Sequence, residues 1–147
     1  MRLLLIEDEA DLARPLKKAL EKQGYAVDWF DDGEKGYRNA KINEYDCCLL
    51  DLNLPGMDGV EVAKKLREEG SDMPIIMLTA RSQMYDKLEG FHVGTDDYIT
   101  KPFHLPEVFA RIKAVIKRSS ENKDQKLMLR DYEVMVERNM LKSPQEE

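Results

Sequence analysis

With 147 residues, 42% hydrophobic and 35% charged, the chain has the size and mix of one globular domain, or a domain with an appendage, able to bury a real core. The net charge of −6 divides into 18 basic against 22 acidic residues over 1–118 and 5 against 7 beyond, so neither part offers a basic surface for nucleic acid phosphates. Met1–Ile6 holds one basic residue and only four consecutive apolar positions before Glu7. That is too short for a signal peptide or a membrane span, which makes a cytoplasmic location the default expectation.

In chain order, Arg2–Ile6 reads as a short apolar strand, followed at once by Glu7, Asp8 and Glu9. Leu12, Leu16, Ala19 and Leu20 then recur at helical spacing up to Gly24, and Pro15 inside the pattern predicts a late or kinked first turn. Tyr25–Phe30 is a second strand, Asp31-Asp32-Gly33 a turn, and Glu34–Lys41 a short polar helix. The unbroken apolar run Cys47–Leu50 is the pattern of a central parallel strand buried on both faces, and it surfaces at Asp51 into the turn signals Pro55-Gly56 and Asp58-Gly59. Cys47 and Cys48, adjacent on a strand, point to opposite faces and read as small core residues, not as a disulfide or a metal-ligand pair. Val60–Glu69 is an amphipathic helix closed by Gly70, Pro74–Leu78 a fourth strand ending in Thr79-Ala80, and Met84–Val93 a fourth helix stopped by Gly94. Asp97–Thr100 is a brief fifth strand before Lys101-Pro102-Phe103, and Leu105–Lys117 a helix with Val108, Phe109, Ile112 and Ile116 inward.

Five strands alternating with five helices imply an α/β fold, a doubly wound parallel sheet with helices on both faces. Every strand then ends on one edge, where ligands of such sheets collect. That edge gathers Glu7 and Asp8, Asp51, Thr79 and Lys101. Carboxylates about 4 Å apart repel by roughly 4 kcal/mol per pair at an effective dielectric near 20, so positive charge is required. Lys101 supplies one such charge, and Mg²⁺, which accepts one or two carboxylates and keeps its waters, fits the remainder. An aspartate neutralised in this way can form an aspartyl-phosphate, with the Thr79 hydroxyl serving a phosphoryl oxygen.

The set Glu7-Asp8, Asp51, Leu54-Pro55-Gly56-Met57-Asp58-Gly59, Thr79-Ala80 and Asp96-Asp97-Tyr98-Ile99-Thr100-Lys101-Pro102-Phe103 resembles the receiver domain of bacterial two-component response regulators. The final run is similar to the OmpR/PhoB-type branch, whose effector is a winged-helix DNA-binding domain. The resemblance covers residues 1 to about 118 and implies a flavodoxin/CheY-like sheet in the order 2-1-3-4-5. It implies Asp51 as phosphoacceptor from a sensor histidine kinase, Asp8 binding Mg²⁺ directly, Glu7 binding it through water, and Asn53 offering its backbone carbonyl. By the same resemblance Lys101 pairs with a phosphoryl oxygen across a cis bond to Pro102, and Thr79 and Tyr98 form a switch pair: the hydroxyl moves to the phosphoryl group and the ring turns inward.

That branch also implies an activated homodimer through the fourth helix, fifth strand and fifth helix, with Lys87, Asp97, Glu107 and Arg111 at matching positions. Glu107 and Arg111, four apart on one helix, can equally pair with each other. His92 and Val93 stand where relatives often carry an acidic residue, and His92 and His104 read as surface residues. Beyond 118, residues 119–125 read as a linker. Leu127, Leu129, Tyr132, Val134 and Val136 alternate like a hairpin, resembling the opening strands of the winged-helix effector over 126–147. No recognition helix or basic stretch follows, so DNA contact is expected only through a complete C-terminal domain, and the chain reads as either a truncated regulator of transcription or a short one. Two rival readings are a phosphorylation-independent interaction module and a Mg²⁺-dependent phosphohydrolase. Asn53, standing where a hydrolase would want an acid, counts against the latter.

Overall fold

The computed structural model describes residues 1–80 and 94–146, with 139–146 as helix backbone only. Five strands, β1 (Arg2–Ile6), β2 (Ala26–Phe30), β3 (Cys47–Asp51), β4 (Ile75–Ala80) and β5 (Asp97–Lys101), form one sheet in the order β2-β1-β3-β4-β5. All four neighbouring pairs are parallel, as alternation of strands and helices requires. β3 lies in the middle and is buried along its whole length, which is why its sequence carries no polar alternation before Asp51.

The sheet separates two apolar layers by the parity of its side chains. Leu3, Leu5, Cys47, Leu49, Ile76, Leu78 and Ile99 pack on one side against Ala13, Leu16 and Leu20 of α1 (Ala10–Lys22) and Val108, Ile112 and Val115 of α4 (Leu105–Glu146). Leu4, Ile6, Cys48, Leu50, Ile75 and Met77 pack on the other against Val62, Ala63 and Leu66 of α3 (Gly59–Glu68), with Tyr37 and Ala40 of α2 (Gly33–Ile42) at its border. Cys47 and Cys48 therefore sit in different layers, both fully buried and free, and burial holds both thiols protonated. α1 begins at Ala10 with Pro15 inside it, so the late start expected from that proline does not occur. The proline removes one backbone donor, while Ala13, Leu16 and Leu20 keep the face buried on either side of it.

The helix expected over Met84–Val93, and with it Lys87, His92 and Val93, lies outside the described residues. Residues Met1–Ile116 form one compact unit and Lys117–Glu147 a second. The tail departs from expectation: α4 continues to Glu146 where a linker over 119–125 and a hairpin over 127–136 were predicted. No glycine occurs in α4, and no proline between Pro106 and Pro144, so nothing punctuates it. The alternating run was ambiguous, because Met128, Leu129, Tyr132, Met135 and Val136 also recur at i, i+1, i+4, i+7 and i+8. A helix closes its own backbone hydrogen bonds, and over these residues the helical period is the one realised. Among the described residues, no helix is long and apolar enough to cross a membrane.

Candidate functional site

Side-chain parity carries the site. Glu7 continues the phase of Leu3 and Leu5, Asp51 that of Cys47 and Leu49, and Lys101 that of Ile99, so all three emerge on the α1 and α4 side of the sheet at its carboxyl edge. Lys101 bridges the two acids: its Nζ donates to Glu7 Oε1 at 2.6 Å and lies 3.4 Å from Asp51 Oδ1. Glu7 is fully buried and Asp51 nearly so, whereas Asp8 is exposed. Ligand atoms of Glu7, Asp8 and Asp51 all lie within 4.8 Å of one another.

The electrostatics of this group are unsettled by burial. Desolvation first, and then the neighbouring Asp51, push the Glu7 carboxyl up to about 8, with the Lys101 ammonium opposing. Burial also disfavours the Lys101 ammonium, yet the hydrogen bond to Glu7 and the Asp51 charge outweigh it and raise its pKa. The Oε2 atom of Glu7 is buried without a hydrogen-bond partner. A buried carboxylate oxygen left in this way is costly. An orphaned oxygen, three convergent carboxyl groups and one exposed member fit a hard divalent cation that takes oxygen ligands and retains water, and Mg²⁺ meets that description.

The loop after β3 is built to hold Asp51 in place. Asp58 caps α3, its carboxylate accepting from the Val60 amide at 2.7 Å and from Glu61 at 3.4 Å. The Gly59 amide donates to the Leu52 carbonyl at 2.9 Å, so closely that a Cβ on Gly59 would stand 2.1 Å from the Asp51 carbonyl oxygen. Gly33, at the start of α2, is held as tightly: its amide donates to Pro55 and its missing Cβ would overlap the Met57 carbonyl oxygen. Gly59→Ala is therefore expected to cost about 2–4 kcal/mol by forcing the Asp51 backbone aside. A melt by circular dichroism should show a midpoint roughly 5–15 °C lower, and an unchanged midpoint would show that the turn relaxes freely.

The remaining expected residues are distributed as follows. Thr79 is fully buried on β4, one position past the Asp51↔Leu78 pair and in the opposite side-chain phase, and its hydroxyl donates to the Ala80 carbonyl at 3.1 Å. Tyr98 on β5, opposite Met77, is 37% exposed. Asn53 lies exposed in the loop, and the Lys101–Pro102 bond is cis. Asp97, Glu107 and Arg111 meet within the chain: Arg111 donates to both Asp97 oxygens at 2.9 and 3.1 Å and to Glu107 at 3.0 Å. His104 is at the surface, as read from the sequence.

Two contributors escaped sequence reasoning. Asp58 was read only as a turn residue, although Glu61 three positions later is a capping signal. Trp29, whose indole Nε1 donates to the Glu7 carbonyl at 2.8 Å, leaves no trace in any local pattern.

Comparison with known proteins agrees with this geometry. The response regulator receiver domain model matches residues 3–113. The chain is 47% identical over 120 residues to the transcriptional regulatory protein TctD of Salmonella typhimurium, covering 82% of this chain and 54% of that protein. It is 40% identical over 143 residues to the response regulator RppA of Synechocystis, covering 96% and 61%. The receiver domain of the sensor histidine kinase PA1611 from Pseudomonas aeruginosa, solved with a magnesium ion coordinated in its active site cleft, superimposes with a TM-score of 0.73 at 32% identity, covering 79% of this chain and 97% of that one. The chain spans between 54% and 64% of the length of the first curated relatives it matches. Fold, motif positions and kinship coincide, and the chain belongs to the response regulator receiver domain family, on the OmpR/PhoB-type branch that its sequence resembles.

Proposed function

We propose that residues 1–118 are a phosphorylation-activated receiver that takes a phosphoryl group from a sensor histidine kinase onto Asp51, with Mg²⁺ held by Glu7, Asp8, Asp51 and the backbone carbonyl of Asn53. The observation that carries this reading is the Lys101 ammonium set between Glu7 and Asp51 beside a buried, unsatisfied carboxylate oxygen. An Asp51 oxygen attacks the phosphorus of the kinase phosphohistidine, the O–P bond forming as the P–N bond breaks and its electron pair leaving with the imidazole. Lys101 takes up charge on a phosphoryl oxygen. Bound Mg²⁺ supplies the remaining neutralisation of phosphoryl and carboxylate charge. The protein catalyses only its own phosphorylation and dephosphorylation.

Phosphorylation adds about two negative charges next to Thr79. The Thr79 hydroxyl leaves the Ala80 carbonyl for a phosphoryl oxygen, and the exposed Tyr98 ring turns into the space vacated. The surface of β5 and α4 with the segment before β5 then forms a symmetric dimer, in which Lys87, Asp97, Glu107 and Arg111 exchange the intrachain pairing of Asp97, Glu107 and Arg111 for pairs across the two-fold axis. Transcription is controlled, in this reading, from the cytoplasm through a C-terminal DNA-binding domain. The names of TctD and other relatives as transcriptional regulatory proteins support that role.

Incubation with acetyl phosphate and Mg²⁺, followed by intact mass and gel filtration, tests the reading. One phosphoryl-sized gain that requires Mg²⁺, mapped to the peptide around Asp51 and accompanied by earlier elution, is expected. No gain under any Mg²⁺ concentration would leave a phosphorylation-independent interaction module, and turnover of acetyl phosphate without an adduct would point to a hydrolase.

A further inference from the structure

Resting on the Mg²⁺ site proposed above, we infer that Trp29 is a positioning residue for that site: its indole N–H, bonded to the Glu7 carbonyl, sets the turn that delivers Glu7 and Asp8 to Asp51. The ladder between β1 and β2 runs to the Ile6↔Phe30 pair, and one more bond follows, from the Glu7 amide to the Phe30 carbonyl at 3.0 Å. β2 ends there, and Asp32 is committed to capping α2, accepting from Glu34 and Lys35. The indole Nε1 of Trp29 stands where the next ladder donor would bond, at 2.8 Å from the Glu7 carbonyl oxygen. In a parallel sheet a residue's N–H and C=O face the same neighbour, so these two bonds together pin Glu7 from the β2 side.

The ring itself is well anchored. It packs against the apolar layer under α1, and the Arg14 guanidinium of α1 lies 6.0 Å from the ring centroid. One side chain thereby meets both the Glu7 backbone and the α1 helix that follows it. Glu7 needs such a hold because its carboxyl is buried against a like group, and the turn would relax outward if its backbone were free. Groups that orient metal ligands from behind carry a measurable share of metal affinity.

Trp29→Phe keeps an aromatic ring against the apolar layer and removes the pyrrole portion with its N–H. Isothermal titration with Mg²⁺ alone is expected to show a dissociation constant raised about three- to tenfold, the effect of losing one neutral hydrogen bond. Phosphorylation by acetyl phosphate should slow at limiting Mg²⁺ and recover at saturating Mg²⁺. A lower melting midpoint with unchanged Mg²⁺ affinity would assign Trp29 to the core alone and overturn the inference. Because Trp29 is the sole tryptophan, its single indole resonance in a ¹⁵N-labelled wild-type sample provides a second readout that does not depend on the variant folding. It is expected to shift with Mg²⁺ at the same midpoint as the Asp8 amide. An indole resonance that stays still while the Asp8 amide moves would overturn the role of Trp29 and leave the metal site standing, whereas no movement of either would overturn both.

Discussion

Asp51→Asn is expected to abolish the phosphoryl adduct, reducing it below detection by intact mass after incubation with acetyl phosphate and Mg²⁺. The amide keeps the shape of the side chain at the end of β3 but offers no anionic oxygen to attack phosphorus. The same change tests the electrostatic reading of the pocket. Asp51 is one of the groups holding the Glu7 carboxyl up, so in the variant Glu7 retains only its burial as a reason to keep a proton. Mg²⁺ affinity should fall, since one of the three convergent carboxylates is gone. A persisting adduct on the asparagine variant would place the acceptor elsewhere, with the exposed Asp8 as the next carboxylate to examine.

Lys101→Met is expected to slow phosphorylation by about 10²–10³-fold, the scale on which a preorganised charge at a developing oxyanion counts. Its effect on stability depends on pH. In the wild type burial pushes the Glu7 carboxyl up to about 8 in the folded state, above the ordinary glutamate value of 4.5. A raised carboxyl pKa contributes stability that is present below 4.5 and lost as pH rises through 8, because ionising the buried group is disfavoured in the folded state. Lys101 opposes that rise, so methionine moves the loss to higher pH and deepens it. At pH 7 Glu7 can remain protonated, which limits the cost to about 1–3 kcal/mol rather than that of a fully orphaned buried charge. Melting midpoints measured from pH 5 to 9 in the absence of metal should separate from those of the wild type as pH increases. Parallel curves would mean that Lys101 does not sense the Glu7 carboxyl.

Much of the site was legible because strand ends are local signals. An apolar run that stops at a carboxylate, as at Leu50-Asp51, or at a small polar residue, as at Leu78-Thr79, marks both a buried strand and the edge where it surfaces. Four such stops, with Lys101 closing the fifth strand, define one edge in one alternating pattern, and right-handed crossovers leave little freedom in which side they meet. The intrachain cluster of Asp97, Glu107 and Arg111 was half legible: the Glu107 and Arg111 spacing announced their pair, whereas Asp97 joins only through the packing of α4 beside β5.

The tail shows where pattern reading fails. Leu127–Val136 satisfies a strand template and a helix template together, and only the surroundings choose between them; here α4 runs through. A strand needs a neighbour to receive its backbone bonds, while a helix closes its own, so the same residues follow whichever partner is present.

The sequence by itself determined the alternation of elements, the membership of Glu7, Asp8, Asp51, Thr79 and Lys101 in one edge, and the separation of Cys47 from Cys48, because each follows from residue period and strand ends. The tertiary structure alone decided that Lys101 sits between Glu7 and Asp51, that burial pushes the Glu7 carboxyl up to about 8, that Gly59 presses on the Asp51 carbonyl, and that Trp29 reaches the Glu7 backbone. Those facts depend on distances of a few ångströms between residues far apart in the chain, and desolvation has no meaning until the surrounding core has formed.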